Sequence, residues 1–372
     1  QTALELQTNV TGKFNTGSVN HTLLTGFDIS SYDNPVNTLA ALTPTVLNVF
    51  NPDYSSVVFP ALNTFPFAFG GSTKYTAFGV YLQDQVEFSD QLKVLVGGRY
   101  DTVRTRSITN PSPPIFPGFP PNPGSENTEN DDAFTPRLGI VYQQIEELSL
   151  YGSFSQSFFP NSGNTVTGDT LPPERGEQFE IGARTELLDG KLTANLALFN
   201  LTKQNIAVAD PNFPANSGFS IARGEQRSRG IELDIIGEIS PGWNILANYA
   251  HTDAELTEDD QFQGNTPFNM PEHNFNLWTT YEIQSGSLQG LSFGVGFNYV
   301  SDRFVDDANT FTVDDYFLTN ASIAYKKDNW RAGLNIRNLF DVEYIEAASG
   351  GTFGGSAPGE GLTIIGSLSV EF

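Results

Sequence analysis

Apolar and polar residues alternate along almost the whole chain. Leu4, Leu6, Thr8, Val10 and Gly12 alternate with Glu5, Gln7, Asn9, Thr11 and Lys13. Ile231, Leu233 and Ile235 point away from Glu232 and Asp234, and Leu291, Phe293, Val295, Phe297 and Tyr299 alternate with Ser292, Gly294, Gly296 and Asn298. A period of two is the signature of a half-buried strand, and no sustained helical period competes with it. The pattern predicts about fifteen strands, near 3–14, 18–32, 73–88, 91–106, 132–145, 147–159, 175–188, 191–207, 218–239, 241–255, 271–285, 288–303, 313–327, 329–345 and 361–372. Most reach about ten residues, long for a globular protein but enough for a tilted strand to cross a bilayer.

The connections alternate in length. Tight turns are expected at 15–17, 89–90, 146–147, 189–190, 240–241, 285–286 and 327–329, with longer connections near 33–72, 107–131, 160–174, 208–217, 256–270, 304–312 and 346–360. In an up-and-down meander every second connection lies at the same end, so one end carries tight turns and the other long loops. Outer-membrane barrels have this asymmetry; a soluble sandwich has no reason for it. The polar face carries charges of both signs: Glu180, Arg184, Glu186, Glu232, Asp234, Glu238, Arg331 and Arg337. Such a face implies water or a polar filling inside, with the apolar rows toward lipid and Trp243, Tyr281, Tyr299 and Tyr325 as girdle residues. An odd strand count and a chain that opens in mid-pattern imply the later part of a larger barrel.

Composition sharpens this reading. The 372 residues include 30 Phe, 13 Tyr and 35 Gly, which favours strands and turns. There is no Cys, so disulfides and thiolate chemistry are excluded. The formal charge of −24 leaves no basic surface for nucleic acid. Mean hydropathy is −0.25, and no apolar run is long enough for a transmembrane helix; a barrel leaves no such run.

Five ordered stretches carry a resemblance: YLQDQVEFSDQLKVLVGGRYD (81–101), PPERGEQFEIGARTELLDGKLTANLALFNLTKQNIAVADP (172–211), RSRGIELDIIGEISPGWNILANYAHTDAE (227–255), GNTPFNMPEHNFNLWTTYEI (264–283) and NIRNLFDVEYI (335–345). From about residue 83 onward the chain resembles the C-terminal barrel of TonB-dependent siderophore receptors, and looks closest to the ferrichrome and hydroxamate branch. The resemblance implies an all-β, antiparallel, up-and-down transmembrane barrel, with residues 1–372 supplying about fifteen of the family's twenty-two strands; the N-terminal plug, the TonB box and the first strands are not in this sequence. It implies a receptor in the outer membrane of a Gram-negative-type bacterium that imports a ferric siderophore, energised by the TonB–ExbB–ExbD system through the N-terminal part. Outer-membrane lipid, lipopolysaccharide and the barrel assembly machinery would be further partners.

Alternation alone places Glu180 and Glu232 on the inward face, where they read as solvated acids. By resemblance they match barrel glutamates that pair with plug arginines. Phe65, Phe67, Phe116, Phe159 and Phe353 lie in or beside the long connections, where aromatic walls would suit the organic shell of a ferric hydroxamate; packing of loop on loop is the plainer reading for each. Phe372, the terminal aromatic of IGSLSVEF, resembles the assembly signal of such barrels, with Leu368, Val370 and Phe372 toward lipid and Ser367, Ser369 and Glu371 inward. His21, His251 and His273 show no metal-ligand spacing and read as structural or surface residues. The acidic pairs 131–132, 259–260, 306–307 and 314–315 read as solvated. No catalytic constellation and no resident cofactor or metal is expected. A passive porin-like or adhesin-like barrel, or a receptor for cobalamin, haem or a sugar, is the alternative.

Overall fold

The computed structural model describes residues 2–40, 67–112, 121, 123–161, 165–167, 169–210, 212–213, 219–347 and 356–371. Among them there is no helix. The strands are β1 (Thr2–Thr16), β2 (Val19–Ala40), β3 (Phe67–Glu87), β4 (Leu92–Thr109), β5 (Ser125–Ile145), β6 (Leu148–Phe159), β7 (Glu174–Leu187), β8 (Leu192–Ala209), β9 (Ser220–Ser240), β10 (Trp243–Glu258), β11 (His273–Glu282), β12 (Leu291–Val300), β13 (Arg303–Phe304), β14 (Thr312–Val313), β15 (Tyr316–Lys327), β16 (Trp330–Arg337), β17 (Ile345–Ala347), β18 (Ala357–Pro358) and β19 (Thr363–Val370). Fifteen of them form one sheet in chain order, β1 to β12 followed by β15, β16 and β19; β13–β14 and β17–β18 are separate small hairpins.

The chain divides into two compact units. The first comprises Gln1–Gly12, Leu24–Leu82 and Gly98–Phe134. Within it, Arg99 donates to both oxygens of Asp28 at 2.6 and 2.9 Å and, through Nε, to Asp101 at 2.7 Å. A planar guanidinium can serve two carboxylates at once in this way. From β4 to β5, Tyr100 donates to Asp132 at 3.1 Å and Arg106 to Glu126 at 2.8 Å.

The second unit comprises Lys13–Leu23, Gln83–Gly97 and Thr135–Phe372. From β5 to β12 and through β15, β16 and β19 each strand pairs antiparallel with the next. Because directly opposed residues share a face, the registers define two surfaces. One carries Leu196, Leu198, Ile231, Leu233, Leu277 and Phe297 in opposed or diagonal positions. It also bears two aromatic rows. Trp243 opposes Tyr281, which opposes Phe293 near the tight turns; Tyr249 opposes Phe275, then Tyr299, then Phe317 toward the long connections. The rows are six residues apart along β10, about 20 Å at 3.3 Å per residue. An apolar band between aromatic girdles is what a lipid-facing barrel surface presents.

The other surface is polar. Ser367 and Ser369 oppose Gly333 and Arg331, whereas Leu368 and Val370 lie on the apolar side, as the alternation in the last strand requires. Level with the second aromatic row runs a ladder of amides. Asn276 donates to Asn248 at 2.9 Å, Asn298 to Asn276 at 2.5 Å and Asn320 to Asn298 at 2.8 Å. Asn320 Oδ1 then accepts the backbone N–H of Asn338 at 2.9 Å.

Two sequence expectations need correction. Residues 125–131, expected in a long connection, belong to β5, and β2 and β3 likewise extend beyond their expected limits. The β5 extension, SENTEND, carries charged and polar residues, so the strand continues where apolar alternation has ended. Conversely, the strand expected over 329–345 stops at Arg337. Asn338 and Asp341 adopt left-handed backbone (φ 48° and 52°), which Asn and Asp tolerate better than most residues. The buried Asn338 side chain accepts the Val342 N–H at 2.8 Å and donates to the Val342 and Glu360 carbonyls at 2.9 and 3.0 Å. Asp341 accepts the Leu362 N–H at 2.8 Å. NLFD is therefore a side-chain-tied turn that delivers Tyr344 against Tyr316, ring centroids 4.5 Å apart.

Candidate functional site

The polar surface of β6 to β9 holds the carboxylates singled out in the sequence. Glu180 on β7 opposes Phe199 on β8, while Gly182 opposes Ala197, which opposes Glu232 on β9. Both glutamates therefore occupy one face, two strands apart. The residues between them are small, and Ala197 is buried. Tyr151 on β6 opposes Gly182. Its ring lies across that glycine, and its hydroxyl donates to Glu180 Oε1 at 2.8 Å. Gln178 donates to the other oxygen at 3.0 Å, and Asn195 reaches the Tyr151 hydroxyl at 3.4 Å. Asn195 also opposes Asp234, the next inward acid on β9.

Glu180 is thus held by two neutral donors, and among the described residues no cation forms an ion pair with Glu180, Glu232 or Asp234. A group of inward carboxylates on one face is an electrostatic sink for a cationic side chain. On the same surface near the tight turns, a cavity of about 530 Å³ is lined by Asn244, Thr280, Glu282, Arg331, Ser367 and Ser369.

The aromatic candidates fare differently. Phe159 ends β6 and is two-thirds exposed. Phe67 is the first residue of β3. Phe65, Phe116, Phe353 and Phe372 lie outside the described residues. His21 fits a structural role: its ring stacks on Phe14, centroids 4.7 Å apart, and its Nδ1 lies 2.7 Å from Asp84. Tyr151 and the amide ladder escape a reading of the sequence strand by strand. Their partners are fixed by cross-strand register, which alternation within one strand does not reveal.

A family model described as "TonB dependent receptor-like, beta-barrel" matches residues 1–339. The ferrichrome outer membrane transporter/phage receptor of Escherichia coli K12 is 34% identical over 352 residues, covering 91% of this chain and 45% of the transporter. The metal-pseudopaline receptor CntO of Pseudomonas aeruginosa is 32% identical over 376 residues, covering 98% of this chain and 51% of the receptor. The chain spans about half the length of the curated relatives it matches. Among solved structures, the closed form of the ferric-catecholate import receptor Fiu from Escherichia coli K12 superposes with a TM-score of 0.83 at 22% identity, over 100% of this chain and 54% of Fiu. That likeness shows the fold, and the named relatives are transporters and receptors, not enzymes. The family match, the antiparallel meander and the girdled apolar face agree: the chain belongs to the TonB-dependent receptor-like β-barrel family of the bacterial outer membrane.

Proposed function

We propose that this chain is the C-terminal part of the barrel of an outer-membrane receptor that imports a ferric siderophore of the hydroxamate type, driven by the TonB–ExbB–ExbD system. The observation that carries the proposal is the 34% identity to a ferrichrome transporter across nearly the whole chain. Iron here is cargo held by the siderophore, so the barrel needs no ligands of its own to it. Long connections at one end of the meander would face the outside and meet the ligand, with Phe65, Phe67, Phe116, Phe159 and Phe353 as candidate contacts. Glu180 and Glu232 would face a plug supplied by the rest of the protein and pair with its cations. Such pairs would hold the plug at rest and be exchanged as it rearranges. Lipid and lipopolysaccharide would surround the apolar face, and Phe372 would be read by the assembly machinery.

The test uses the full-length receptor. Ferric hydroxamates should bind tightly, and uptake of radioactive iron from them should vanish in cells lacking TonB. E180Q and E232Q should leave binding intact and lower uptake. Tight binding of a metal–pseudopaline complex or a ferric catecholate instead would move the cargo assignment toward the pseudopaline or catecholate relatives. Ion conductance with TonB-independent uptake would replace the receptor by a passive pore.

A further inference from the structure

Two histidines and a carboxylate meet where β10 and β11 emerge past the second aromatic row. The register sets His251 directly opposite His273. Their rings lie 4.9 Å apart and 26° from parallel. Glu272 precedes His273, and its carbonyl is anchored by the Thr252 N–H at 2.9 Å. Glu272 Oε1 lies 3.7 Å from His251 Nδ1 and 3.8 Å from His273 Nε2. One donor atom from each residue falls within 4.8 Å of the other two. Bonds of about 2.0–2.2 Å to a shared ion place its ligand atoms roughly 3–4 Å apart. Small side-chain rotations would close the set.

Two independent features distinguish this cluster from an ordinary surface ion pair. His251 Nδ1 is shielded from solvent and has no hydrogen-bond partner, and its distance to Glu272 is too long for a hydrogen bond. A polar atom left so is an exception that asks for a partner. On His273, the far nitrogen Nδ1 lies 2.9 Å from the Tyr249 hydroxyl. When Nδ1–H donates to the phenol oxygen, the Nε2 lone pair is turned toward Glu272. Metal-binding histidines are oriented by just this kind of outer hydrogen bond. A cavity of about 370 Å³, lined in part by His251, Asp253, Met270, Glu272 and Asp302, adjoins the cluster and gives an ion a way in.

The geometry points to a site for one divalent transition-metal ion, held by His251 Nδ1, Glu272 Oε1 and His273 Nε2. Two imidazoles and one carboxylate suit Zn²⁺, Ni²⁺ or Cu²⁺; Ca²⁺ and Mg²⁺ require shells of oxygen. The ion joins β10, at the last residue that pairs with β11, to the chain entering β11, and so clips the excursion 252–272 at its base. It is distinct from the transported iron and does not depend on which cargo the receptor carries.

The test is a Zn²⁺ titration of the full-length receptor, purified without a histidine tag, stripped with EDTA and put in competition with a chromophoric chelator. One Zn²⁺ per chain should bind with a micromolar or tighter Kd. H251A, E272Q and H273A should each weaken binding about 100-fold, and Y249F about 10-fold through the lost orienting bond. Co²⁺ should give d–d absorption bands that disappear in H251A. A heat-modifiable band in gels checks that each variant is folded, and H251Q serves if the alanine variant is not. Absence of binding at millimolar Zn²⁺, or stoichiometric binding unchanged in folded variants of all three residues, overturns the site.

Discussion

Gly182 offers the sharpest test of the packing around Glu180. A Cβ built on this glycine lies 2.5 Å from the Tyr151 hydroxyl and 2.6 Å from the Leu196 carbonyl oxygen, where ordinary contact begins at 3.4 Å. Gly182→Ala is therefore 0.8 to 0.9 Å short of room (3.4 − 2.6 and 3.4 − 2.5). The Leu196 carbonyl belongs to the β7–β8 ladder and cannot retreat without breaking it, so the Tyr151 ring must move. Overpacking of this kind costs about 1–3 kcal/mol. Losing the tyrosine's hydrogen bond to a carboxylate adds about 1–2 kcal/mol after allowing for partial solvation. The better strand residue returns about 0.5–1 kcal/mol. The net expectation is a loss of about 1–4 kcal/mol, measured by urea unfolding of the full-length receptor in detergent micelles with tryptophan fluorescence as the probe. Tyr151→Phe should lose only the hydrogen-bond part. In a Tyr151→Ala background the Gly182→Ala penalty should shrink by at least about 1 kcal/mol, since the two residues are coupled by contact. If Gly182→Ala stays within about 0.5 kcal/mol of the parent, the Tyr151 ring does not lie over this glycine and the account of how Glu180 is held fails.

Three further outcomes are expected. Arg99→Lys should lower stability by about 1–2 kcal/mol in thermal melts, because an ammonium cannot reproduce the two-sided fork to Asp28 and Asp101; equal melting of the two proteins would argue against that network. Asn298→Ala removes both a donor to Asn276 and an acceptor for Asn320, and should cost about 2 kcal/mol in the same unfolding assay. Asp306, in the turn between β13 and β14, is held below the usual carboxylate range by the hydroxyl and backbone N–H of Thr310. A depressed pKa stabilises the turn above the unfolded value of about 3.9 and loses that contribution as pH falls through the folded value. Protection of the Thr310 amide in hydrogen exchange, corrected for intrinsic rates, should therefore drop between pH 6 and pH 3, and Asp306→Asn should abolish the pH dependence.

Alternation within single strands made much of this legible. The rows of β9, β10 and β12, the inward side of Glu180 and Glu232 and the outward side of Leu368 all follow from a period of two, because every residue must choose one of two faces. Strand ends were less legible. The polar extension of β5 continues as strand, and nothing in the side-chain pattern marks where it stops. NLFD reads as strand because Leu339 and Phe340 are apolar, yet Asn338 and Asp341 satisfy the local backbone from their side chains and turn the chain. What depends on two strands at once was invisible: Tyr151 over Gly182, the amide ladder, and the opposition of His251 to His273 each require a register that no single segment contains.

The amide ladder has a further consequence. Its members carry no ionisable proton, whereas the neighbouring strands β7 to β9 present Glu180, Glu232 and Asp234 on the same surface. The polar wall is therefore divided into a sector rich in carboxylates and one of neutral amides. The first attracts a cation, while the Asn248–Asn276–Asn298–Asn320 row offers only neutral hydrogen-bonding groups. A cationic segment resting against this wall would be held by charge from one side only, so a pull on it would act as a torque, not as uniform release.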